Sequence, residues 1–176
     1  WQSEKYFENN KLNILNDLNI ITDQSYQNKE ISKQIASTLS VSLHIRRGDY
    51  IANSAYSATH GTCDFSYYEN AISYLIKNIG ENFTIFAFSD DPEWVSSNVK
   101  FPVDTCYVNI NSSEYNYEDL RLMSECNHNI IANSSFSWWG AWLNTNNNKT
   151  VIAPSKWYAD KSIINRDIIP KNWIRI

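Results

Sequence analysis

The stretch VSLHIRRGDY, residues 41–50, decides the fold. Val41, Leu43 and Ile45 alternate with Ser42, His44 and Arg46, a period of two that predicts a strand. Arg46 and Arg47 stand where that strand meets a loop opened by Gly48. In an open α/β sheet ligands bind outside the carboxyl ends of the strands, and two guanidinium groups suit an anion with several oxygens. A phosphate or pyrophosphate is the natural candidate. The competing reading is structural: beside Asp49, the arginine pair pins its own loop through ion pairs.

The residues on either side extend the pattern. A helix is expected from about 28 to 39, with Ile31 and Ile35 one turn apart, and a polar loop from 48 to 63. Asp64 caps a helix that lines up Tyr67, Ala71, Tyr74, Leu75 and Ile79 and stops at Gly80. FTIFAFS at 83–89 reads as a second strand, and Pro92 starts a short helix carrying Trp94 and Val95. A weaker strand at 105–108, a helix around 118–126 and a buried strand at 129–132 follow. A turn at 133–135, an aromatic helix at 136–143 and a strand at 150–153 complete the series. This alternation predicts an α/β fold: a Rossmann-like parallel sheet with helices on both faces.

Composition narrows the function. A chain of 176 residues is one domain by default, and its net charge of −4 gives no footprint for nucleic acid. It shows neither a long apolar run nor a leader-like start, so a cytoplasmic location is expected. Three cysteines without ligand spacing read as buried or incidental thiols, neither a disulfide framework nor a zinc site. Four glycines are too few for a glycine-rich phosphate loop. Any phosphate site must use another device.

Three strand ends carry suitable side chains: His44, Arg46 and Arg47; Asp90 and Asp91; Asn133, Ser134 and Ser135. In a parallel sheet these ends share one edge. Ser134 and Ser135 begin the aromatic helix, whose unpaired N–H groups and dipole favour an anion, although Ser135 as a plain N-cap is the simpler use. Phe136, Trp139, Gly140 and Leu143 form a stripe expected to pack in the core, with Gly140 letting the helix approach the sheet. Burial is expected for Trp138 and Trp142 too. The Asp90–Asp91 pair lacks the spacing and third hard ligand of a metal site. A carboxylate can instead accept from guanine N1–H and N2–H2, so one aspartate is expected to cap a helix and the other to read a base or fix a loop.

HIRRGDY at 44–50, FSDDPEWV at 88–95, DLRLMSECNHNIIANSSFSWWGAWLN at 119–144 and VIAP at 151–154 together resemble the α-1,2-fucosyltransferases of glycosyltransferase family 11. The resemblance runs through nearly the whole chain, including the opening WQSEKYF. It implies an inverting enzyme that moves L-fucose from GDP-fucose to the 2-hydroxyl of a galactose, using no metal and no other cofactor. It also implies the C-terminal half of a GT-B-like fold. Residues 1–27 would lead in from an N-terminal half, and 28–176 would form the GDP-fucose-binding domain.

By the same resemblance His44 contacts the nucleoside, Arg46 holds the β-phosphate and Arg47 supports its loop. One of Asp90 and Asp91 binds guanine, and Ser134, Ser135 and Phe136 line the pyrophosphate, with Asn133 in the same turn. Arg46, Arg47 and Asp49 form the expected catalytic set, Asp49 being the nearest carboxylate for a general base. The implied partners are GDP-fucose and a galactose-containing acceptor glycan, with peripheral association with membrane-bound glycan intermediates. The alternative is a catalytically inactive module that binds GDP or a GDP-sugar.

Overall fold

The structure is a computed structural model that describes residues 3–48, 54–163 and 165–176. Among these, six strands form one sheet: β1 (Ser40–Ile45), β2 (Thr84–Ser89), β3 (Thr105–Tyr107), β4 (His128–Ile130), β5 (Val151–Ala153) and β6 (Ile174–Arg175). Their order is β3-β2-β1-β4-β5-β6, every pair parallel. The chain winds outward from β1 in one direction, then returns to place β4 on its other side. The switch point, where ligands bind in such sheets, therefore lies between the carboxyl ends of β1 and β4.

Helices α1 (Lys11–Asp17), α2 (Tyr26–Ser37), α3 (Ser54–Thr59), α4 (Phe65–Ile79), α5 (Pro92–Asn98), α6 (Asn116–Glu125) and α7 (Ser135–Leu143) join the strands. Asp64 caps α4 as expected, its Oδ1 accepting from the Tyr67 N–H at 3.0 Å, and Gly80 ends the helix at φ 84°. The expected loop at 48–63 is interrupted by α3, and neither α1 nor β6 was legible beforehand.

Both sides of β1 are buried. Val41, Leu43 and Ile45 pack with Tyr68, Ile72 and Leu75 of α4 and Val95 of α5. On the opposite face Ile35 of α2 and Leu122 and Met123 of α6 cover Phe86 and Phe88 of β2. Burial of some thirty apolar side chains at about 25 cal/mol per Å2 is the main force holding these layers. The polar residues in β1 do not face water but enter a buried network. Ser42 Oγ accepts from Asn129 Nδ2 at 2.7 Å, and Asn129 Oδ1 accepts from Asn144 Nδ2 at 2.8 Å.

α7 differs from its expected orientation. Trp138, Ala141 and Trp142 form its buried face, packed with Ile131, Val151, Trp157 and Trp173, while Phe136, Trp139 and Leu143 are only partly buried. Gly140 faces α6 rather than the sheet: a Cβ there would lie 3.0 Å from Met123 Cβ. The outer side of α7 is covered by the N-terminal segment. Phe7 stacks on Trp139 at 5.6 Å between centroids and meets Trp142 edge-on at 5.2 Å. Arg121 of α6 donates to the Thr22 carbonyl at 2.7 Å, fastening the same segment further along.

Candidate functional site

A cleft of about 350 Å3 opens at the carboxyl ends of β1 and β2, beside the head of α7, with His44, Arg46, Asp90, Asn111, Asp119 and Phe136 among its walls. β1 delivers His44 and Arg46 because side chains alternate along a strand, and only its final residues clear the sheet. Arg46 Nε lies 3.3 Å from Asp90 Oδ2. The other Asp90 oxygen accepts from the Arg47 backbone N–H at 2.8 Å, so one carboxylate fixes two consecutive residues. Gly48 is needed for that closeness: a Cβ would stand 2.7 Å from Asp90 Oδ2.

Arg47 is engaged elsewhere. Its Cζ sits 3.3 Å from the centroid of the Trp94 ring, and its Nε lies 3.4 Å from Asp91 Oδ2. These contacts tie Arg47 to the start of α5. Asp91 occupies the N-cap position of α5, yet its side chain makes no capping bond. One of the two aspartates was expected to cap this helix; Asp91 stands at the N-cap, but its carboxylate pairs with Arg47 instead.

His44 is 3% exposed and its ring lies 5.7 Å from that of Phe136. Burial, with Arg46 beside it, lowers its pKa to about 3, so the imidazole is neutral. Its Nδ1 is buried and finds no hydrogen-bond partner among the described residues.

At the head of α7, Ser134 is the N-cap residue with φ −136° and ψ 131°, and its side chain makes no capping bond. Ser135 is the exposed first helical residue. The N–H groups of the first turn are therefore open to an anion. Phe136 walls the cleft and also a neighbouring cavity of about 840 Å3, to which Ser135, Tyr117, Leu120 and Trp139 contribute. Asn133 has a different task. It is 3% exposed, and its Nδ2 donates to the carbonyls of His60, Gly61 and Trp157 at 3.0, 3.0 and 3.2 Å. Its side chain thus ties two loops to the end of β4. Asp49 lies outside the described residues.

The sequence reading missed the wall of the cleft between 111 and 119, Asn111 and Asp119 above all. Asp119, in the first turn of α6, is half-buried, and Asn111 Nδ2 donates to its Oδ1 at 2.7 Å. Burial pushes its pKa up to about 6; the Asn111 hydrogen bond opposes the rise and Glu118 adds to it. Among the described residues no cation pairs with Asp119, whereas Asp90, Asp91 and Glu118 each meet an arginine. A raised carboxylate pKa in a cleft was the available signal, but it needs the fold to appear. No group of three His, Cys, Asp or Glu side chains able to hold a metal occurs among the described residues. No helix among them is long and apolar enough to cross a membrane.

The chain resembles known proteins over most of its length. A model of glycosyl transferase family 11 matches residues 2–176. The O-antigen biosynthesis glycosyltransferase WbnK of Escherichia coli is 43% identical over 167 residues, which cover 94% of this chain and 51% of that protein. An alpha-1,2-colitosyltransferase of Escherichia coli is 41% identical over 183 residues, covering 100% of this chain and 60% of that one. The chain thus spans little more than half the length of these curated relatives. Among solved structures, POFUT1 in complex with GDP matches 73% of this chain and 46% of its own at a TM-score of 0.47 and 13% identity.

Proposed function

Since the chain belongs to glycosyl transferase family 11, we propose that its cleft binds GDP-fucose as the donor for α-1,2 transfer to a galactoside. The observation that carries this reading is the grouping of three unlike devices around one cleft. These are a guanidinium at a strand end, the uncapped start of α7, which Phe136 joins to the cleft wall, and a carboxylate that pairs with no cation among the described residues. They match, in turn, a β-phosphate, the rest of a pyrophosphate, and the N1–H and N2–H2 donors of guanine. Asp119 is the better base reader than Asp90 or Asp91, because both of those are already bound to arginines.

In such a transfer the acceptor hydroxyl attacks the anomeric carbon as the bond to GDP breaks, its proton passing to a general base, for which Asp49 is the proposed carboxylate, and negative charge grows on the departing β-phosphate. Arg46 and the α7 N–H groups are fixed before reaction, so they stabilise that charge without reorganising. Asp90 and Gly48 set the angle at which Arg46 is presented. His44, being neutral, offers the nucleoside a hydrogen bond without adding charge. No metal is assigned a role. The acceptor glycan, and any peripheral association with membrane-bound glycan intermediates, would involve residues beyond this cleft.

The test is a thermal-shift series with GDP, GDP-fucose, IDP, ADP and UDP. At a hundred times its dissociation constant a ligand stabilises by about 2.7 kcal/mol. GDP and GDP-fucose should shift the melting temperature most; an equal shift with ADP would sink the reading. The relation to a colitosyltransferase favours a second donor sugar, so GDP-colitose belongs beside GDP-fucose in a transfer assay. Binding without transfer of either sugar would identify a donor-binding module.

A further inference from the structure

A run of hydrogen bonds leads from the α2 cap to the cleft. Ser25, the N-cap of α2, has a hydroxyl oxygen that accepts from the Asn28 backbone N–H at 3.2 Å and from Asn28 Nδ2 at 3.0 Å. Asn28 is 1% exposed, and its amide meets that of Asn111 reciprocally. Asn28 Nδ2 donates to Asn111 Oδ1 at 2.8 Å, and Asn111 Nδ2 donates to Asn28 Oδ1 at 3.0 Å. The remaining Asn111 proton goes to Asp119 Oδ1 at 2.7 Å.

Each amide has two N–H donors, and all four are used. The direction of the chain is therefore fixed. If Asn28 turned over, oxygen would face oxygen and nitrogen would face nitrogen across the pairing with Asn111, and both of those bonds would fail. If Asn111 turned over, its oxygen would face a carboxylate, acceptor against acceptor. Asn28 is buried and these bonds are part-buried, so either reversal would leave polar atoms facing like atoms where water only partly compensates. One Asp119 oxygen is thereby held from behind, leaving Oδ2 and the second lone pair of Oδ1 for the two donors of a ligand.

We infer that Ser25, Asn28 and Asn111 form a positioning relay that aims the Asp119 carboxylate, so that selectivity for guanine depends on two residues, Ser25 and Asn28, outside the cleft. This rests on the base-reading role proposed for Asp119. A carboxylate that is free to rotate would still accept one hydrogen bond from a base. It would lose the two-point match that separates guanine from hypoxanthine, which lacks the 2-amino group.

The experiment measures dissociation constants for GDP, IDP and inorganic pyrophosphate on the full chain and on Asn28→Ala, Ser25→Ala, Ser25→Asp and Asp119→Asn. Asp119→Asn should abolish the preference for GDP over IDP. Asn28→Ala and Ser25→Ala should reduce that preference by about threefold to tenfold, while pyrophosphate affinity stays within a factor of two. Ser25→Asp keeps both the cap and the acceptor for Asn28, and should restore the preference. Its contrast with Ser25→Ala supplies the test if Asn28→Ala does not fold. An unchanged GDP-to-IDP ratio in both alanine variants, or a parallel loss of pyrophosphate affinity, overturns the relay and leaves a structural staple. An unchanged ratio in Asp119→Asn overturns the base-reading role itself.

Discussion

Asp119 shows what a single half-buried carboxyl costs and what it returns. Its pKa is raised from the ordinary value of 3.8 to about 6, so the folded chain holds this proton more tightly than the unfolded chain. Stability from this group is therefore greatest below about pH 4, falls as pH rises between 4 and 6, and stays reduced above 6. Asp119→Asn should raise the melting temperature at pH 7.5 and leave it nearly unchanged at pH 4, in scanning calorimetry without ligand. The same titration governs binding. Affinity for GDP-fucose, whose esterified phosphates do not titrate here, should fall roughly tenfold per unit below pH 6 and flatten in Asp119→Asn. Arg46→Ala should lower the transfer rate of the catalytically competent protein by about two to three orders of magnitude, measured with saturating acceptor. Arg46, His44 and Asp90 could be read from the chain because strand ends advertise themselves through period-two patterning. Asp119 could not: it enters from the first turn of a helix in the layer above, and its sequence neighbours look like any acidic helix start.

At the scale of the element, α7 is where pattern and packing part company. Its existence and limits were legible from the serines before it and the apolar run within it. Its buried face was not, because tryptophans occur on more than one side and a strict stripe cannot rank them. The structure breaks the tie with Phe7, which covers the Trp139 side and leaves Trp138 and Trp142 to the sheet. Gly140 then meets Met123 of α6 at the closest point between the two helices. Gly140→Val should cost about 1–3 kcal/mol through forced separation of α6 and α7, read as a lowered urea midpoint. Because α6 carries Asp119 and α7 carries Ser134 and Ser135, the same variant should weaken GDP binding while leaving every proposed contact residue intact.

At the scale of the molecule, parallel strands and two helical layers followed from the alternation of periods, as did the convergence of strand ends. The segment before α2 was opaque. Its apolar residues are few and scattered, and its order comes from partners far along the chain: Trp139, Trp142, Arg121 and Asp167. The sheet order itself has a consequence in time. β1 is flanked by β2 on one side and β4 on the other, and about eighty residues separate the end of β1 from the start of β4. During synthesis at roughly 5–20 residues per second, the unsatisfied edge of the central strand waits some 4–16 seconds for its second neighbour to leave the ribosome. An apolar strand with an open ladder for that long is a template for pairing between nascent chains. The topology that creates the ligand cleft thus also makes the chain's passage through the ribosome a period of exposure to aggregation.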